Sequence, residues 1–382
     1  MKQIVIIGCG VIGAMIAYEI SQIPNLQITV LDRQPPAQAA TGAALGVLMG
    51  VISQKTKGRA WAMRQASIQR YNTLLPELAA LTGNSLTWNQ QGILKLCFAE
   101  DDRSRWQALI DLRQQQGWQL EYWQPEHIWE RCPQIQHSDI TGAIYSPQDL
   151  QIDPTALTLA LVAASQQRGV TFQFGVDVLK LEHSSATRQT SDCLHTTCLH
   201  TTCLHTTAGE VPADAVIIAA GLGSTPLIAP LIKSGGQPVD VHPVLGQAIQ
   251  VQLQQPLGEP CFQPVITGQD IHLVPLVDPE LSHTYWVGAT VEFVDSLSIE
   301  PDAARLETLW QDAIAFCPAL KNAAVLKTWS GLRPRPQNRP APIVEPLVGF
   351  TNVLIATGHY RNGVLLAPAT AQIVRSLLSE RI

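Results

Sequence analysis

The chain opens with "KQIVIIGCGVIGAMIAYEI", and the placing of its glycines restricts the fold more than any other feature. Gly8, Gly10 and Gly13 satisfy G-x-G-x-x-G directly after a β-branched apolar strand and at the start of an apolar helical run, Val11 to Ile23. A second strand, "LQITVLD", ends in Asp32, nineteen residues after Gly13. The first glycine permits the tight turn, the second lets a pyrophosphate approach the backbone, and the third lets the helix pack on the strand. The helix N-terminus offers unpaired N–H groups to phosphates. A carboxylate at the end of the second strand accepts ribose hydroxyls and disfavours a 2′-phosphate. The unit reads as a dinucleotide site, with NAD and FAD both open at this point.

Composition bounds the partners. The 382 residues suffice for one large or two ordinary domains. Hydrophobic residues make up 46% and charged residues 15%, which suits a compact core and argues against disorder. A formal charge of −6 without a long basic stripe argues against nucleic acid. No uninterrupted run of ~18 apolar residues is present, so no membrane span is expected. The apolar N-terminus lacks a nearby small-residue cleavage region; strand, turn and helix are expected there, and a cytoplasmic protein. Three of the eight cysteines fall in "CLHTTCLHTTCLHTT", Cys193 to Thr207. C-x4-C with His two residues after each Cys matches no familiar zinc spacing, so no metal is expected. Three identical units between the strand-like runs "VDVLKLEH" and "VPADAVIIAAG" are expected of a duplication in a tolerant hairpin loop.

Helices are expected at about 60–82 and 103–117, over "PTALTLALVAASQQRG", over "AARLETLWQDAIAFCPAL" and over "VLLAPATAQIVRSLLSE". The region 240–300 is β-rich. α/β pieces at both ends bracket a β-rich middle, so one domain is expected to be discontinuous. Two further stretches carry candidate chemistry. In "DRQPPAQAATGAALGVLMG", residues 32–50, small side chains either let a flat ring lie against the backbone or form an ordinary loop. In "ATGHYRNGVLLAP", Ala356 to Pro368, four polar residues occupy a strand-to-helix corner. Arg333, in "GLRP", is either an anion ligand or solvated, as Arg335 and Arg339 are expected to be in the same Pro-rich loop.

With "GCGVIG" at 8–13, "LDR" at 31–33, "ATGAALGVL" at 40–48, "GLRP" at 331–334 and "GHYRNGVLLAPAT" at 358–370, the chain resembles the D-amino-acid oxidase family of flavoproteins, most nearly its glycine oxidase branch. The resemblance covers nearly the whole chain. It implies an α/β (α+β overall) fold: a Rossmann-like FAD-binding domain from 1–78, 147–230 and 331–382, and an antiparallel-sheet substrate domain from 79–146 and 231–330. It implies non-covalent FAD, contacted at Gly8, Gly10, Val11, Ile12, Gly13, Asp32, Arg33, Ala40, Thr41, Leu45, Gly46, Val47 and Gly221, with Val178 on the adenine side. His359, Tyr360, Arg361, Asn362, Gly363, Val364 and Leu365 would wrap the flavin ring, with the helix N-terminus beside its pyrimidine edge, where reduction leaves negative charge. Arg333 matches the carboxylate-binding arginine of the family, and Arg361 adds positive charge; a guanidinium both binds and orients a carboxylate.

Departures from the pattern bear on specificity. His272 stands where a tyrosine is expected, either as a substrate hydrogen-bond donor or as a satisfied sheet histidine. Leu45 and Val47 replace an alanine and a methionine. Cys317 lies where related sarcosine oxidases attach flavin covalently, but without their surrounding motif, so a buried thiol is expected. The implied reaction is oxidative deamination of glycine or a small (D-)amino acid by hydride transfer from Cα to flavin N5, giving oxo acid, ammonia and hydrogen peroxide. It calls for molecular oxygen and no catalytic base, with thiamine thiazole synthesis as a plausible context and a homo-oligomer as the expected assembly. The alternatives are a D-amino-acid dehydrogenase, or a sarcosine or proline oxidase, on the same fold; further off stand a nicotinamide-dependent enzyme and a non-catalytic flavin module.

Overall fold

This computed structural model describes residues 1–83, 86–189, 195–232, 238–277, 281 and 283–381. Strands and α-helices are numbered in chain order. The helices are α1 (Val11–Ile20), α2 (Gly58–Thr82), α3 (Arg103–Gln115), α4 (Pro125–Arg131), α5 (Pro154–Gln167), α6 (Ser224–Ile228), α7 (Ala303–Phe316) and α8 (Gly363–Ser379).

The first sheet joins β1 (Lys2–Ile7), β2 (Leu26–Asp32), β9 (Thr171–Phe174), β13 (Ala215–Ile218), β20 (Ile343–Pro346) and β21 (Val353–Thr357), in the order β20-β21-β13-β1-β2-β9. All its pairs are parallel except β20–β21. Successive side chains of a strand point to opposite faces, and here both faces are apolar. Ile4, Ile6, Val30, Ile217 and Leu354 enter a core shared with α1, α2, α5 and α8. Val5, Ile7, Leu31, Val216, Ile218 and Ile355 enter another, beneath the antiparallel sheet of β10 (Val178–Gln189), β11 (His195–Thr206) and β12 (Gly209–Pro212). Burial on two sides is why these strands read as continuous hydrophobic runs.

The repeat is strand here, not a loop. β11 carries its second and third units, paired antiparallel with β10. Five is odd, so equivalent residues of successive units would face opposite sides of a regular strand. A bulge at Thr202, between the pairs His183–Thr201 and Glu182–Cys203, takes up one residue and returns Leu199 and Leu204 to one core. Cys193, with the rest of 190–194, lies outside the described residues.

The second large sheet has nine strands: β5 (Ile93–Cys97), β6 (Glu121–Trp123), β7 (Gly142–Ser146), β14 (Val241–Gln252), β15 (Val265–Gly268), β16 (Ile271–Pro275), β17 (Thr284–Gly288), β18 (Glu292–Phe293) and β19 (Ala324–Pro336). "GLRP" belongs to β19 and so to a strand, not the Pro-rich loop expected. β19 is an edge strand pairing only with β14, Pro334 opposite Pro243, and an edge tolerates prolines that lack a donor. Arg339, expected in solvent, pairs with Glu345 at 2.7 Å. Arg335 lies over the Phe293 and Tyr360 rings, at 5.2 and 5.8 Å. Cys317 is fully buried in this sheet's core, and burial pushes its thiol up to about 12.

A small sheet of β3 (Val47–Leu48), β4 (Trp88–Asn89) and β8 (Leu150–Ile152) lies between these parts of the chain. Leu45, Ile93, Ala248, Val265 and Val274 form a small core where segment 40–48 meets the nine-stranded sheet. No helix among the described residues is long and apolar enough to cross a membrane.

Candidate functional site

Gly8 has φ +106°, and a Cβ there would overlap the Ala219 carbonyl, so only glycine fits the turn. A Cβ on Gly13 would overlap the Gly8 carbonyl, which is the close helix–strand approach expected. The N-terminus of α1 has no side-chain cap at Gly10; Thr41 reaches over it, its Oγ1 accepting from Val11 N at 3.0 Å. By contrast Asp102, Asp153 and Asp302 cap α3, α5 and α7. The N–H groups of Ile12 and Gly13 are thus left to a ligand. Asp32 holds the glycine loop, Oδ2 accepting from Cys9 N at 2.6 Å and Oδ1 from Gln34 N at 2.9 Å. Each oxygen keeps capacity for a further donor.

The other residues of this group lie on several segments, Leu45 and Val47 against the nine-stranded sheet. Arg33 is exposed, Ala40 and Val47 are half-buried, and Leu45 and Gly46 are buried. Val178 is buried at the start of β10. Gly221, at φ +56°, accepts from Thr357 Oγ1 at 3.0 Å.

Like those of α2, α4 and α6, the start of α8 is also uncapped. Its N-cap, Asn362, makes no side-chain cap; its Oδ1 instead accepts from Arg64 Nη2 at 3.4 Å. Tyr360 sits at φ +53° in the single turn Tyr360–Asn362 that leads into the helix. The His359 side chain turns inward, Nε2 lying 2.9 Å from Thr370 Oγ1, and burial together with the Arg59 charge pushes it down to about 3. Val364 and Leu365 are buried, while Arg361 is 37% exposed and 3.9 Å from Asp270.

Arg333 reaches toward the same place from β19. Its Nη1 donates to the carbonyls of Leu245, at 3.1 Å, and Thr290, at 2.9 Å. A Cβ on Gly246 would overlap the guanidinium, so the glycine across the strand pair makes its room. Arg333 forms no ion pair among the described residues. The acid nearby, Glu292, is already engaged by Gln247 at 2.7 Å, Thr290 at 2.6 Å and Arg305 at 3.1 Å. Burial and the Arg361 charge pull Arg333 down to about 10, which leaves it cationic at neutral pH. His272 Nδ1 lies 2.9 Å from Thr267 Oγ1; burial, then the Arg361 charge, pushes the ring down to about 4, so it is neutral. One cation without an ion-pair partner among the described residues, a second held only by the exposed Asp270 at 3.9 Å, a neutral imidazole and two uncapped helix starts therefore favour anionic groups here.

Sequence reasoning missed the support beneath this site. Asp149 is fully buried and accepts from the amides of Gly50, Val51 and Ile52 at 2.7, 2.8 and 2.9 Å. Arg113, also fully buried, donates to the carbonyls of Val51 and Ser53 at 2.8 Å and Lys55 at 3.0 Å, and lies over the Trp61 ring at 3.5 Å. The two hold one loop from opposite sides. Nothing in "SPQDL" or in an amphipathic helix marks an Asp or Arg as buried.

The family DAO, FAD dependent oxidoreductase, matches residues 3–377. The bifunctional protein ThiO/ThiG of Synechocystis sp. is 32% identical over 389 residues, an alignment that covers 100% of this chain and 52% of that protein. The chain thus spans about half the length of the bifunctional relatives it matches. Glycine oxidase of Bacillus subtilis is 27% identical over 384 residues, 99% of this chain and 93% of that protein. The crystal structure of glycine oxidase from Bacillus cereus superposes with TM-score 0.84 at 24% identity, over 100% of this chain and 96% of that one, a likeness of fold.

Proposed function

Because the chain belongs to DAO, the family of FAD-dependent oxidoreductases, we propose that it oxidises glycine or another small amino acid to an oxo acid, ammonia and hydrogen peroxide. One observation carries the reading: Arg333 is a half-buried cation with two backbone acceptors and no carboxylate partner among the described residues, beside a second cation. A substrate carboxylate supplies the missing anion and is oriented by the guanidinium fork. The relatives named glycine oxidase support a small amino acid as the substrate.

The residues fit FAD. The free amides at the start of α1, with Thr41 over them and Gly10 keeping the approach open, would hold the diphosphate, and Asp32 would accept from the ribose. The uncapped start of α8 would face the flavin, with Arg361 beside it. FAD, when bound, accepts the hydride equivalent that leaves the substrate Cα. Arg333 fixes the carboxylate, and the neutral His272 adds no third positive charge beside the substrate, whose amine reaches the flavin unprotonated. Leu45 and Ala248, with the rest of their small core, exclude water. No side chain is assigned the role of base.

We keep the division into a cofactor domain (1–78, 147–230 and 331–382) and a substrate domain (79–146 and 231–330); β19 runs through its last boundary. The ThiO/ThiG relatives support thiamine thiazole synthesis as the context. A cytoplasmic homo-oligomer with oxygen as acceptor completes the reading.

The test is the visible spectrum of the purified protein before and after anaerobic glycine. A flavin spectrum bleached by glycine, and restored with peroxide on admitting air, is expected. Reoxidation by a quinone but not by air would make it a dehydrogenase, and bleaching only by sarcosine or D-proline would move the substrate. Arg333→Ala is expected to raise KM about 10²–10³-fold, the loss of a charge-assisted bidentate pair.

A further inference from the structure

Pro368 is the sixth residue of α8 and carries no N–H, so the Val364 carbonyl, four residues earlier, has no helical donor. Another helix makes the missing bond: Tyr71 Oη donates to that carbonyl at 2.6 Å from a fully buried side chain. Ser67, one turn earlier on α2, accepts from Ala369 N, the amide just past the proline, at 3.2 Å. Arg64, a turn before that, donates to Asn362 Oδ1 at 3.4 Å and to the Ala60 carbonyl at 2.8 Å. Arg64, Ser67 and Tyr71 form one stripe of α2, at i, i+3 and i+7. They touch α8 at its N-cap, its second residue and the residue after its proline. With Asn362 held by Arg64, the first amides of α8 stay uncapped.

We propose that Tyr71, backed by Ser67 and Arg64, is a positioning residue for the flavin, fixing the depth and tilt of the first turn of α8. The proposal rests on the reading above, in which that turn faces the cofactor. A displaced or tilted helix end loses part of its attraction for the negative charge that reduction brings. Tyr71 therefore acts through backbone that it does not share, across the gap left by a proline.

The experiment compares the flavin midpoint potential and the FAD dissociation constant in the wild type, Tyr71→Phe, Pro368→Ala and the double variant. Tyr71→Phe keeps the ring and removes only the donor. Its two-electron reduction equilibrium is expected to fall about tenfold, or about 30 mV, with FAD bound several-fold more weakly. Pro368→Ala returns an N–H to the Val364 carbonyl, so the double variant is expected to recover both values. Tyr18→Phe removes another buried hydroxyl, bonded to Glu77 at 3.2 Å, and is expected to leave the potential unchanged. An unmoved potential in Tyr71→Phe, or no recovery in the double variant, overturns the proposal while the flavoenzyme reading stands. If Tyr71→Phe does not fold, the double variant decides alone, a wild-type potential supporting the proposal and a shifted one overturning it. A wild-type chain that takes up no FAD sinks the parent reading, and this one with it.

Discussion

Two histidines beside the candidate site are uncharged at neutral pH because burial penalises the imidazolium, His272 being pushed down to about 4 and His359 to about 3. In the unfolded chain both return to about 6.5. Between those values the unfolded state binds more protons, so stability rises with pH there. The fold is fully stable above about pH 6.5 with respect to these two groups and loses stability as pH falls through 6.5 toward 4 and 3. Urea midpoints measured from pH 7.5 down to 4.5 are expected to fall, and His359→Gln to flatten the slope; an equal slope in the variant would show that other groups set it. The polar corner "GHYRNG" was legible from its local pattern as a turn between a strand and a helix. That His359 turns inward to Thr370 was not, because the partner lies on the far side of a helix turn. Arg333 was legible through "GLRP", whereas Gly246 was not, since its role is to vacate space across a strand pair.

Among the elements, the helices and parallel strands were legible because their periodicity is local. β11 was not, because a five-residue period matches neither helix nor strand until a bulge corrects its phase. Among the described residues the second and third units carry further contacts, in addition to the pairing with β10 that all three units share. Leu199 pairs with the loop at Phe350, Thr201 N donates to Asn352 at 2.9 Å, and His205 meets Glu182 at 3.0 Å. Deleting Cys193–Thr197 leaves two intact units to make them, so the unfolding free energy from urea titration is expected to stay within about 0.5 kcal/mol of the full chain. A loss above about 2 kcal/mol would mean that the first unit also carries packing. The helix through Pro368 was expected, but what makes up for its missing N–H was not legible, for a related reason. The proline looks like a helix breaker until Tyr71 and Ser67, from a helix nearly three hundred residues earlier, are seen to fill the gap.

At the scale of the whole molecule, the free ends of α1 and α8 belong to the helices packed on the six-stranded sheet, while Arg333 stands on the nine-stranded one. One seam between them runs through Ala43. Gly331 of β19 lies so close to Ala43 that a Cβ would overlap it, and Trp329 Nε1 donates to the Ala43 carbonyl at 3.1 Å. No local pattern predicts such a contact, because Trp329 and Ala43 are 286 residues apart in the chain. The seam acts as a caliper. On the proposed reading, with Arg333 on one jaw and the start of α8 on the other, an amino acid would be gauged by the length from its carboxylate to the carbon that loses hydride. β-Alanine, one methylene longer, is expected to compete with glycine for the arginine yet be oxidised at least about 10²-fold more slowly, since a misplacement of about 1 Å costs that much. Comparable rates for the two would mean that the jaws are not fixed. Widening such an enzyme's range would then call for changes at Ala43 and Gly331, where the gauge is set, as well as in the walls around the side chain.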